Sequence, residues 1–133
     1  MTLYSGYQRD AFTYDIMINY ACKTRKLGGA LQFLDKMKEE GIKPLYGTYA
    51  HLLKGILFDR DFEEAYSFLI QQSGTDPNLD SVNYEYLIRI CHKVGLEEEA
   101  RHLFTEMKAK GLELLDDKLY TQILHENNEP KPI

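Results

Sequence analysis

Basic residues are in the minority: 16 lysines and arginines face 21 aspartates and glutamates, leaving a formal net charge of −5. That balance argues against strong nucleic-acid affinity spread over the whole surface, because attraction to phosphate comes largely from basic side chains. No apolar run approaches the ~18 residues that a bilayer-crossing helix needs, so no membrane partner is expected. Residues Met1 to Asp10 lack the basic, serine-rich character of a transit peptide. Four prolines and nine glycines are too few and too scattered to form a linker. Only two cysteines occur, Cys22 and Cys91, each near the end of a predicted helix within an apolar stretch. The expectation is two reduced, buried thiols and no disulfide. The histidines His51, His92, His102 and His125 fall on different predicted helices with no paired-cysteine spacing, so no metal is expected. There is no glycine-rich phosphate loop and no nucleophile elbow. Without any such set, neither an enzymatic activity nor a cofactor is expected.

What the sequence does have is a period. Tyr14, Tyr49 and Tyr84 are spaced by 35 residues, and Ala30, Ala65 and Ala100 keep the same step. Apolar positions recur with them: Met17, Leu52 and Leu87, then Ile18, Leu53 and Ile88, then Phe33, Phe68 and Leu103. A fixed period of this length marks a solenoid built from one supersecondary unit, each copy burying its apolar face against the next. The frame divides the 133 residues into the tail of a unit (1–10), three full units (11–45, 46–80 and 81–116), and a partial fourth unit with a tail (117–133).

Each unit reads as two helices. Ile16, Met17, Tyr20 and Ala21 recur at helical spacing from Phe12 to about Thr24, and Leu27, Ala30, Leu31, Leu34 and Met37 do so from Leu27 to about Glu40. Short breaks at 24–26, 59–61 and 94–95 have the length that joins neighbouring helices. Gly41 and Gly111 follow basic last turns, where a residue without a side chain takes the left-handed C-terminal conformation, and Pro44 prevents continuation. The alanines sit where a bulky side chain would hold the partner helix away. The predicted fold class is all-α, a right-handed α-solenoid of antiparallel helix pairs ending in a single helix from about Asp117 to His125. End helices of such an array expose apolar surface, which predicts self-association through them.

The run FTYDIMINYACK from Phe12, continued by Ala30, Phe33, Leu34, Met37, Gly41 and Pro44, resembles the pentatricopeptide repeat, and so does VNYEYLI from Val82 with Ala100, Met107 and Gly111. The second copy departs from the family pattern after Leu69: Gln72 stands in place of Met, Asp76 in place of Gly, and Pro77 is displaced, which predicts a shorter second helix or an irregular turn. The resemblance implies a single-stranded RNA partner, one base per repeat read by two or three side chains, with no DNA partner. It implies mitochondrial or chloroplast RNA processing, splicing, stability or translation. The reader positions it implies are the residue after the repeated tyrosine (Asp15, Ala50, Glu85 and Thr121) and the last residue of the unit (Leu45, Asp80 and Asp116). Apolar wedges precede the first of these by three residues, at Phe12, Gly47 and Val82. Asp15, Ala50 and Glu85 depart from the usual Asn, Thr or Ser; two carboxylates would have to face an anionic chain, so no base sequence follows. A protein-binding scaffold of the same fold is the alternative.

Charge distribution qualifies the acidic total. Residues 11–45 hold six basic and four acidic side chains, 46–80 two and six, and 81–116 five and seven. Four and eight residues after the post-tyrosine position, on the same helix face, stand Asn19 and Lys23, Lys54 and Phe58, Arg89 and Lys93. Four cations thus line one face of three first helices, while Glu39, Glu40, Glu63, Glu64 and Glu97 to Glu99 fall on second helices or turns. The plainer interpretation keeps Glu85 and Arg89 as an ordinary surface pair at i,i+4 and Lys23 and Lys93 as complements of the helix dipole. Tyr14, Tyr49 and Tyr84 repeat with the core, so they are read as packing residues.

Overall fold

Three of the six described helices begin where an aspartate side chain satisfies free amides. In the computed structural model, which describes residues 10–118, the Asp10 carboxylate accepts from the Thr13 amide at 2.8 Å and opens α1 (Ala11–Lys23). Asp61 does the same for α4 (Phe62–Gln71) through Glu64. Asp76, followed by Pro77 at the first helical position, opens α5 (Pro77–Lys93) by accepting from Asn78 and Leu79. The remaining helices are α2 (Leu27–Glu39), α3 (Tyr46–Asp59) and α6 (Glu97–Ala109). Gly41 and Gly111 both stop their helices at φ +75°, and behind them the amides of Ile42 and Leu112 return to the carbonyls of Met37 and Met107 at 2.8 and 3.0 Å.

These six helices form three hairpins, α1–α2, α3–α4 and α5–α6, with α1, α3 and α5 packed in a row. Among the described residues every regular element is helical, and the architecture is an all-α helical-repeat solenoid. Ala30 and Ala65 are fully buried and Ala100 nearly so, which lets each second helix lie close to its partner. Around them the core runs continuously from Tyr14, Ile18 and Met37 through Leu52, Leu53 and Leu69 to Tyr84, Leu87 and Met107. The repeated tyrosines are buried, as packing residues should be.

Two expectations are altered. α5 starts at Pro77, ahead of the unit boundary at 81, because the Asp76 cap and Pro77 favour helix locally; Asp80, expected at the end of a unit, lies in its first turn. Cys91 is buried but Cys22 is only half-buried, on a wall where Gly55 offers no side chain: a Cβ there would sit 3.1 Å from the Cys22 sulfur. Burial, with Asp59 nearby, still pushes the Cys22 thiol up to about 11. The expected shortening of the second unit is visible, since α4 has 10 residues where α2 and α6 have 13. Most of the helix expected from Asp117 to His125 lies outside the described residues, as does Thr121.

The second and third units are joined by one carboxylate. Glu106 accepts from the Tyr66 hydroxyl at 2.8 and 2.6 Å and from the Tyr84 hydroxyl at 2.5 Å, with His102 Nε2 at 3.7 Å. Burial pushes the Glu106 carboxyl up, but the two hydroxyls, with Lys110 and His102, outweigh it and hold the group below its usual 4.5. A depressed carboxylate stabilises the fold above the unfolded value and loses that contribution as pH falls through the folded one. Urea midpoints measured from pH 6 down to pH 3 should therefore fall more steeply for the wild type than for the double variant Tyr66→Phe, Tyr84→Phe. Parallel curves would remove Glu106 from the acid response.

Candidate nucleic-acid interface

The row of first helices carries a concavity. It is a groove of about 520 Å³ between α1, α3 and α5. Asn19 and Lys23 line it from α1, Ala50, Lys54 and Phe58 from α3, and Tyr86 from α5. Five of these are residues that the face-by-face reading of the sequence grouped together, and the fold brings them to one wall because α1 and α3 pack side by side. Lys23 and Lys54 are exposed, and neither forms an ion pair among the described residues; the Lys54 ammonium lies 5.9 Å from the Phe58 ring centroid. Asp59, at the rim, is held by Arg25 at 3.0 Å, which leaves the groove with a cationic surplus.

The post-tyrosine residues are placed otherwise. Asp15 is buried and accepts from the Thr48 hydroxyl at 2.5 Å, with His51 Nε2 at 3.7 Å. Glu85 is 1% exposed; it accepts from Arg89 Nε and Nη2 at 3.1 and 2.6 Å and from the Leu115 amide at 2.9 Å. The expectation that both carboxylates face an incoming anionic chain is corrected by this arrangement, since each is turned inward and occupied by donors, Asp15 by those of the next unit and Glu85 by its own helix and the segment after α6. The reason is energetic: a buried carboxylate without partners costs several kcal/mol, on the order of what one ion loses on leaving water. Glu85 with Arg89 is likewise no surface pair. Arg89 also reaches Asp117 at 2.6 Å, so this member of the cationic stripe is already committed to carboxylates.

The other expected positions scatter. Ala50 and Gly47 are buried on the groove lining, whereas Val82 is buried and Phe12 half-buried outside it. Leu45 caps α3 by position. Asp80 accepts from the Gly74 amide at 3.1 Å through one oxygen, and its other oxygen is buried without a partner among the described residues. Asp116 is exposed on the segment that follows α6, and Lys93 is exposed at the end of α5, away from the groove wall. His51 and Tyr86 line the groove and were missed. His51 stands 35 residues after Ile16 of the exposed α1 face, and Tyr86 35 residues after His51, two units from Ile16. Tracking each helix along its own face finds Asn19 and Lys54; only contact across helices finds Tyr86. Among the described residues no group of three His, Cys, Asp or Glu side chains could hold a metal ion, and no helix is long and apolar enough to cross a membrane.

Comparison with known proteins adds an independent line. Residues 9–44 match the model of the PPR repeat family and residues 82–112 that of the PPR repeat. The chain is similar to a putative pentatricopeptide repeat-containing protein of Arabidopsis thaliana, 32% identical over 108 residues that cover 81% of this chain and 21% of that protein. It is 28% identical over 113 residues to another Arabidopsis thaliana pentatricopeptide repeat-containing protein, named chloroplastic, covering 84% of this chain and 14% of that one. A third, also named chloroplastic and from the same plant, is 25% identical over 104 residues, 77% of this chain and 10% of its own length. The chain thus spans about a fifth or less of the length of these curated relatives.

Proposed function

Because the chain belongs to the pentatricopeptide repeat family, helical-repeat proteins that generally bind RNA, we propose that it is a non-catalytic module that holds single-stranded RNA along its first helices. The observation that carries this reading is electrostatic. In an acidic protein, Asp15 and Glu85 are turned into the packing, while Lys23 and Lys54 line the groove with no ion-pair partner among the described residues. A phosphate chain following the row of helices meets cations there, and the surplus carboxylates of α4 and α6 lie on the second helices. The work we assign to it is organellar RNA metabolism: processing, splicing, stability or translation in chloroplast or mitochondrion. Two similar proteins named chloroplastic support the compartment.

Fluorescence anisotropy of a labelled single-stranded RNA, titrated with the protein across a salt series, tests the proposal. Three full units engage about three bases at one per repeat, so the expected result is weak binding that falls steadily with salt. No affinity at the lowest salt would favour a second reading, a protein-binding scaffold. Ile16 and Tyr20, one turn apart on α1 and each 67% exposed, are the observation on its side. In that case sedimentation would show association through α1, removed by Tyr20→Asp.

A further inference from the structure

Ala50 lines the groove with a single methyl group. It occupies the position after the repeated tyrosine in the second unit, and its methyl group leaves open the space that a longer side chain would fill. On either side of that space stand polar groups without employment. The Asn19 amide, half-buried on α1, makes no hydrogen bond among the described residues. The Tyr86 hydroxyl, half-buried on α5, makes none either. His51, on α3, also lines the groove, with its Nε2 3.7 Å from Asp15. Protein side chains that converge on a cavity without partners of their own are normally satisfied by water or by a ligand. A volume of about 520 Å³ accommodates a nucleotide.

We infer that at this unit boundary the base is contacted by Asn19, His51 and Tyr86 in place of the post-tyrosine side chains, with adenine preferred. The inference rests on the RNA reading above and assigns the specificity of its central site. Two physical arguments support it. A carboxamide presents a donor and an acceptor side by side, which pairs bidentately with adenine N6 and N7, whereas on that same edge guanine offers two acceptors and uracil a single one. The Tyr86 ring supplies an aromatic face, on which a base stacks whatever its identity. Asp15 and Glu85 take no part, since their oxygens are already accepting from Thr48, Arg89 and Leu115.

The test uses the whole chain and four labelled oligonucleotides of A, C, G and U at fixed low salt. The wild type should bind the A oligomer most tightly. Asn19→Ala should lower that affinity about tenfold and erase the preference, while Tyr86→Leu should weaken all four about five- to tenfold without changing the salt slope. Tyr86→Phe should keep the stacking and lose little. Ala50→Leu, which puts a longer side chain on the groove lining, should block all four sequences, and circular dichroism melts of each variant check that the fold is intact. Salt-dependent binding indifferent to Asn19, Tyr86 and Ala50 would overturn this assignment and leave the RNA reading standing. Equal affinity of the wild type for the four oligomers would overturn the adenine preference. No binding at all by the wild type would remove the RNA reading and this inference with it.

Discussion

Tyr84→Ala should destabilise the protein by about 3–5 kcal/mol, the usual cost of emptying an aromatic site in a packed core. The ring is fully buried in the core that also holds Leu87 and Met107, so its removal leaves a cavity there. Tyr84→Phe keeps the ring and forfeits the hydroxyl's bond to Glu106 at 2.5 Å; hydrogen bonds to charged groups contribute about 1.5–3 kcal/mol, and the lower end applies here because Glu106 still accepts from Tyr66. Folding stability of the order of 5–15 kcal/mol leaves both variants measurable by urea denaturation. The pair also separates packing from RNA recognition. A Tyr84→Ala protein that loses less than about 1 kcal/mol yet binds RNA poorly would make the tyrosine a stacking platform and refute its place in the core.

Replacing Lys23 and Lys54 together with alanine should weaken RNA binding by about tenfold at low salt, and equally for all sequences. Each lysine withdrawn from the phosphate path lowers the slope of log affinity against log salt by about 0.7 for a single strand, so the double variant should show a slope shallower by about 1.4. Lys36 and Lys38 on α2 are the controls, and Lys38 donates to Gln72 at 2.7 Å on the second-helix side. Equal weakening by inner and outer lysine variants would mean diffuse attraction, and the groove would lose its role. Arg89→Ala belongs to a different class: because the guanidinium is the partner of buried Glu85, its removal should appear as reduced stability more than as a reduced salt slope. Glu85→Asn likewise forfeits acceptors used by Arg89 and the Leu115 amide, so it relieves no repulsion of phosphate.

The solenoid was legible in the sequence because everything that specifies it is local or strictly periodic. Tyr14, Tyr49 and Tyr84 mark the burial of each first helix, Ala30, Ala65 and Ala100 the close approach of each second one, and Gly41 and Gly111 the left-handed stops. A cap is also local. The Asp76–Pro77 start of α5 could have been read from residue types alone, but the 35-residue frame suggested a later boundary and hid it.

The composition of the groove depended on packing between helices. Asp15 looks like a free carboxylate in its own unit, and it is consumed by Thr48 and His51 one unit later; Glu85 is consumed partly by its own helix and partly by the Leu115 amide 30 residues on. Lys23 and Lys54 remain available because, among the described residues, the same packing brings no carboxylate into an ion pair with them. Periodicity, propensity and capping by themselves determined that this chain is a stack of helix pairs, since those forces act within a few residues or repeat from unit to unit. Which charges stay accessible on the stack was decided by tertiary structure alone, because burying an ionised group is tolerated only where a neighbouring helix happens to supply its donors.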